Sequence, residues 1–131
     1  MNPIFSSALS GLLAQGERLA VSANNVANAR SVGQRSGRDE AAEAFVPQRV
    51  SEVCVADGGV RTERHPVSPP SLPSYEPGDP AAGEDGMVAR PNVSFEEEFT
   101  VQLRARQAYQ ANLGVLKTQD EMLGRLLDIR T

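Results

Sequence analysis
The chain has 131 residues, 40% of them hydrophobic, but it holds no tryptophan, two tyrosines and four phenylalanines, so it has the size of one domain without the large side chains that fill a big core. Thirteen basic against seventeen acidic side chains leave a net charge of −4, which excludes a protein held to nucleic acid by counterion release. No apolar run approaches the roughly 18 residues of a membrane span, so no direct membrane span is expected, and the first residues lack the basic start and continuous apolar stretch of a secretory signal.

The chain divides into three segments, residues 1–30, 31–92 and 93–131. In the first, Asn2-Pro3 suits a helix start, because asparagine caps free amides and proline at the first helical position gives up a hydrogen bond that would be missing anyway. Phe5, Leu9, Leu12, Gly16, Leu19, Ala23 and Val26 then recur at alternating spacings of four and three, the seam of a left-handed coiled coil. Ala8, Ser10, Gly11, Ala14, Ala20, Ser22 and Ala27 crowd the rest of the surface with small side chains that let other helices approach. A helix over residues 3–28 would span about 40 Å. Near its end Asn24, Asn25 and Asn28 cluster, which normally marks a turn or cap, since the asparagine amide competes for nearby backbone groups.

The middle segment contains all but one of the nine prolines and cannot be a long helix. Residues 31–44 read as a linker, with room for a short helix at 39–44. Val46, Val50, Val53 and Val55 follow an alternating pattern that predicts a strand, Asp57-Gly58-Gly59 a turn, and Val60 the return strand of a small β-hairpin. Pro47 confines its strand to an edge or to a later start. Beyond the hairpin, "SPPSLPSYEPGDPAAGEDGMVARPNV" has too many prolines and glycines for regular structure and reads as an extended surface connection. The chemistry-bearing residues here are sparse. Cys54 has no partner for an internal disulfide and reads as a small buried apolar residue, and His65 as a solvated loop histidine. Asp79, Glu84 and Asp85 lack the ligand spacing of a calcium-binding hand and read as a solvated acidic turn. No catalytic residue, metal or cofactor is expected.

The third segment opens on Ser94-Phe95-Glu96-Glu97, a capping box in which Ser94 serves the Glu97 amide and Glu97 reaches back. A helix of about 36 residues, roughly 54 Å, follows. It carries one apolar stripe through Phe95, Phe99, Tyr109, Leu113, Leu116, Leu123 and Leu127, and another through Val101, Ala105, Ala108, Val115, Met122, Leu126 and Ile129, interrupted by Asn112 and Gln119. A helical hairpin needs only one of them, so the second points to helices of other chains. The expected fold is α+β and mainly α: long terminal helices packed as a coiled-coil-like hairpin, with the β-hairpin and extended segment between them.

These segments resemble those of the flagellar axial proteins, and more narrowly the flagellar basal-body rod protein family. "SALSGLLAQGERLAVSANNVANARSVG" is similar to the family's amino-terminal helix with its Asn-Asn-x-Ala-Asn element, and "RPNVSFEEEFTVQLRARQAYQANLGVLKTQDEMLGRLLDI" to its Pro-Asn-Val entry and aromatic-Gln-Ala-Asn element, here Tyr109 to Asn112. The run from Gly58 to Val93 resembles that of a proximal rod subunit, in its Gly-Gly-Val stretch, Pro-Gly-x-Pro turn and Asp-Gly segment. The resemblance implies a structural subunit of the bacterial flagellar basal body, not an enzyme. Such a subunit is built into the periplasmic rod that carries torque from motor to hook and is exported by the flagellar type III apparatus without a cleaved signal. Implied partners are other copies of the chain, other flagellar rod proteins, the export apparatus, and MS-ring and hook-basal-body proteins. Its packing and assembly contacts are expected at Phe5, Leu9, Leu12, Leu19 and Val26 of the first helix and Phe99, Tyr109, Asn112, Leu113, Leu116, Met122, Leu123 and Leu126 of the last. Asn24, Asn25 and Asn28 fall off the first seam and are expected to bond to adjacent subunits. The alternatives are another proximal rod subunit, or a soluble coiled-coil adaptor or export-chaperone-like binding module.

Overall fold
A computed structural model describes residues 3–33, 44–56 and 58–129, so the expected cap Asn2, most of the linker with its short helix, and Asp57 of the turn lie outside the described residues. The terminal helices form where the periodicity places them, α1 over Pro3–Asn28 and α2 over Phe95–Asp128. Between them run β1 (Gln48–Cys54), β2 (Val60–Pro66), β3 (Ser71–Tyr75) and β4 (Met87–Pro91). Ser94 caps α2 as expected, its hydroxyl accepting from the Glu97 N–H at 3.3 Å. The reciprocal half of the box does not form, because Glu97 instead pairs with Arg49 of β1 at 2.7 Å.

The two helices lie antiparallel. Asn25 faces Glu98, Ser22 faces Gln102, and Gly11 faces Asn112. The same pairing brings Ile4 and Ala8 alongside Asn112 and Val115, so α2 runs past the start of α1 at about Asp120, and every residue from Asp120 to Ile129 is exposed. The seam departs from the expected one. Of the predicted α1 seam only Leu12 is buried, while Phe5, Leu9 and Leu19 are exposed; the other buried residues of α1 are Ala8, Ala14, Gln15, Val21, Ser22 and Asn25, of which Ala8, Gln15, Ser22 and Asn25 follow a second heptad displaced by about one residue. On α2 the buried position is Ala105, from the stripe of smaller residues, and Phe99, Tyr109 and Leu113 face outward. Small side chains win the inner face because they allow close approach, as at Gly11, where an added Cβ would stand 2.7 Å from the Asn112 amide nitrogen.

β1 and β2 form the predicted hairpin, in register from Gln48 opposite Pro66 to Cys54 opposite Val60. It lies along α1: Gln48 meets Asn25, Glu52 accepts from Gln15 and pairs with Arg18 at 2.8 Å, Arg64 pairs with Glu17, and the Val60 N–H donates to Ser10. The lengths agree, since about seven residues of strand and about fifteen of helix both span roughly 22 Å. Cys54 is exposed, not buried, and His65 belongs to β2, its ring nitrogen 2.9 Å from the Ser51 hydroxyl. Cys54 is exposed because a two-stranded sheet on one helix buries few of its positions, and His65, solvated as expected, is in a strand because β2 runs on to Pro66 opposite Gln48.

The segment expected to be irregular holds a second hairpin, β3 paired with β4 from Ser71 opposite Pro91 to Tyr75 opposite Met87. Its prolines are tolerated because of where they fall in the ladder. Ala89, opposite Pro73, exchanges both its backbone bonds with Gly33 at 2.9 Å, so the Pro73 position is one whose N–H would point away from β4. Pro91, two residues on, occupies the same kind of position. Val88 and Ala89 are buried there, and with Ala14, Val21 and Ala29 they show how small the side chains of this core are.

Gly59 has φ +91° and its missing Cβ would stand 2.4 Å from the Ser10 hydroxyl, so Gly59→Ala should lower stability by roughly 1–2 kcal/mol. Gly16 has open space around it in mid-helix, so Gly16→Ala should raise stability by about 0.5–1 kcal/mol. Thermal unfolding of the isolated chain followed by circular dichroism measures both.

Candidate functional site
Two surfaces are built by the helix pair. The inner one is polar and small. Ser22 donates to the Glu98 carbonyl at 3.3 Å and accepts from the Gln102 amide at 3.2 Å, Ala105 is buried below them, and Asn112 closes on Gly11. Asn25, 1% exposed, bonds to the backbone of Gln48 and to the Glu98 carboxylate. Its amide is therefore engaged inside its own chain, and the expectation that it reaches an adjacent subunit is corrected. Asn28 turns back on Asn24, donating to its carbonyl at 2.9 Å and its side-chain oxygen at 2.7 Å, and accepts from Ser31. These two asparagines finish α1.

The outer surface carries the large side chains. Ile4, Phe5, Leu9, Leu13 and Leu19 stand exposed along α1, and Phe95, Phe99, Leu103, Tyr109 and Leu113 along α2. Past the end of the pairing, Met122, Leu123, Leu126, Leu127 and Ile129 are exposed on the projecting part of α2, Leu127 by 71%. At one end of the pair Val26, Phe95, Phe99 and Gln102 line an open apolar hollow, and at the other Pro3, Ile4 and Ala8 line another with Val115. Large apolar residues left exposed in this number mark candidate contact surfaces. Of the candidate residues, Leu12 and Asn25 are buried and Val26, Asn112 and Leu116 are half-buried, while Phe5, Leu9, Leu19, Phe99, Tyr109, Leu113, Met122, Leu123 and Leu126 form the outer surface. The sequence reading missed Ser22, Gln102 and Gln15 as packing residues; their signal is the second heptad, visible once polar and small residues are admitted to a seam.

The acidic turn has a local role, with Asp79 accepting from the Ala81 N–H at 2.8 Å and Asp85 from the Met87 N–H at 3.1 Å. Among the described residues no helix is long and apolar enough to cross a membrane.

Residues 84–129, which take in β4 and the whole of α2, match the family described as flagellar basal body rod FlgEFG protein, C-terminal. Over 127 residues the chain is 39% identical to the flagellar basal-body rod protein FlgC of Salmonella typhimurium, covering 96% of this chain and 95% of that one. FlgC of Yersinia enterocolitica is 37% identical over the same shares, and FlgC of Agrobacterium fabrum 32% identical over 92% of this chain and 88% of its own. The chain belongs to the FlgC family. The matched span covers nearly the whole chain, and so both helices and both hairpins.

In this FlgC-family chain the start of α2 is an electrostatic cap. The Glu96 carboxyl is held below the ordinary glutamate range, first by its own backbone N–H and then by the Ser94 hydroxyl at 3.0 Å, slightly opposed by desolvation. A depressed folded-state pKa contributes stability above the unfolded value that is lost as pH falls through the folded one. Carboxyl NMR titration should therefore place Glu96 below an unstructured glutamate, and Ser94→Ala should move it up towards that value.

Proposed function
We propose that this chain is a structural subunit of the proximal rod of the flagellar basal body, polymerising through the outer faces of its terminal helices into the axial tube that transmits torque from motor to hook. The observation that carries the reading is the division of labour on the helices: small and polar residues pack the pair together, and the large apolar residues are left outward along its length and on the projecting end of α2. Its neighbours are other copies of itself and other flagellar rod proteins. It reaches the periplasmic rod through the flagellar type III export apparatus without loss of a signal, and meets MS-ring or hook-basal-body proteins at the ends of the rod. It works by contact, not by catalysis.

The thin core fits this role. An outward leucine gains roughly 1.5–3 kcal/mol on full burial, a sum that several such residues reach only when neighbouring helices cover them. The free subunit is thus held together weakly, which suits passage through a narrow export channel, and becomes rigid on assembly.

Because Leu19 and Leu126 are exposed in the single chain, Leu19→Asp and Leu126→Asp should change its stability by no more than about 0.5 kcal/mol. Both should abolish swimming and remove the subunit from purified basal bodies, and Leu116→Asp should do the same. Normal swimming of the Leu19 and Leu126 variants would refute the proposal, as would a wild-type chain found only in a discrete cytoplasmic complex.

A further inference from the structure
The buried amide of Asn25 joins elements that are far apart in the chain. Gln48 opens β1 opposite Pro66, and the neighbouring position carries the ladder bond from the Val67 N–H to the Pro47 carbonyl at 2.9 Å. Ladder bonds alternate along an antiparallel pair, so both backbone groups of Gln48 point away from β2. Asn25 receives them as a strand would: its Oδ1 accepts from the Gln48 N–H at 3.0 Å and its Nδ2 donates to the Gln48 carbonyl at 2.7 Å. The other Nδ2 hydrogen goes to Glu98 Oε1 in the first turns of α2 at 2.8 Å.

Both donors and the acceptor are thereby committed, and the orientation of the amide is fixed twice over. A flipped amide would set its oxygen against the Gln48 carbonyl and the Glu98 carboxylate, and its NH2 against the Gln48 N–H. Each contact holds the side chain in the conformation the other requires. Beside it the buried residues Ser22 and Ala29 are small, so at this end of the pair hydrogen bonding contributes more than bulk to setting the register. We propose that Asn25 is a positioning residue that couples the docking of the β1–β2 hairpin on α1 to the docking of α2 on α1 in the correct register, so that neither is completed without the other. This goes beyond the assembly role, and concerns the single chain.

Among the described residues Glu98 shares no hydrogen bond with β1; its link to the strand runs through Asn25. Amide hydrogen exchange of the full-length chain, read by NMR, should find the Gln48 N–H protected in the wild type and exchanging about tenfold faster in Glu98→Ala, although α2 remains helical by circular dichroism. Glu98→Gln, which keeps an acceptor for Nδ2 and removes the charge, should restore the wild-type rate. Unchanged Gln48 exchange in Glu98→Ala, equal acceleration in Glu98→Gln, or an unprotected Gln48 in the wild type would each overturn the proposal. Asn25→Asp should accelerate exchange in residues 48–54 and 98–105 together, and acceleration confined to one of the two stretches would overturn it as well. Loss of swimming with intact coupling, or the converse, separates this inference from the assembly role.

Discussion
Close approach of two long helices over small and polar side chains is the constraint on which the rest of this structure depends. Where Gly11 meets Asn112 and Ser22 meets Gln102 there is no room for leucine or phenylalanine. Large residues on the same helices therefore have to point outward. Close packing of this kind gains dispersion contacts and hydrogen bonds but removes little apolar area from water, so it fixes geometry more than it stabilises. A pair of helices built in this way is accurate and weak, and its strength has to come from what covers the outside.

Much of this was legible in the residues. The helix limits follow from Pro3, from Ser94 with its run of glutamates, and from the Asn24–Asn28 cluster, because capping chemistry is local. The first hairpin follows from its valine alternation and paired glycines. What periodicity could not settle is which of two stripes faces the partner helix. Hydrophobic spacing favours the stripe of Phe5, Leu9 and Leu19, whereas the contact is made one residue over by Ala8, Gln15, Ser22 and Asn25. Apolarity predicts burial in a self-sufficient protein; in one whose burial is divided between its own fold and its neighbours, the largest apolar residues mark the outer face. The second hairpin escaped for a different reason. Proline content argues against a strand on average, but the effect depends on ladder position, and Pro73 and Pro91 sit where no ladder N–H is needed.

The two hairpins brace the helices differently. The first lies along α1 and is tied to it through Gln15, Arg18 and Glu17, and to α2 through the Arg49–Glu97 pair, whose two side chains are largely exposed and so contribute little. The second is anchored by Gly33, five residues after α1 ends, and by its own continuity with α2, which starts three residues after Asn92. The second bracket therefore acts at the end of the pair where Asn25 and Ser94 lie, while the first runs along α1 from Asn25 to Ser10.

The placement of the prolines has a consequence for how the chain can associate. A two-stranded ribbon ordinarily offers two rows of free backbone groups, and a polymer-forming protein passes through crowded states in which another strand could add to them. Here β1 has its outward groups at Gln48 occupied by Asn25, β2 lacks a donor at Pro66 and has Val60 bonded to Ser10, β3 lacks a donor at Pro73, and β4 is closed by Gly33. None of the four presents an uninterrupted template for strand addition. Growth by β-pairing is blunted at every strand, and ordered association is left to the helices.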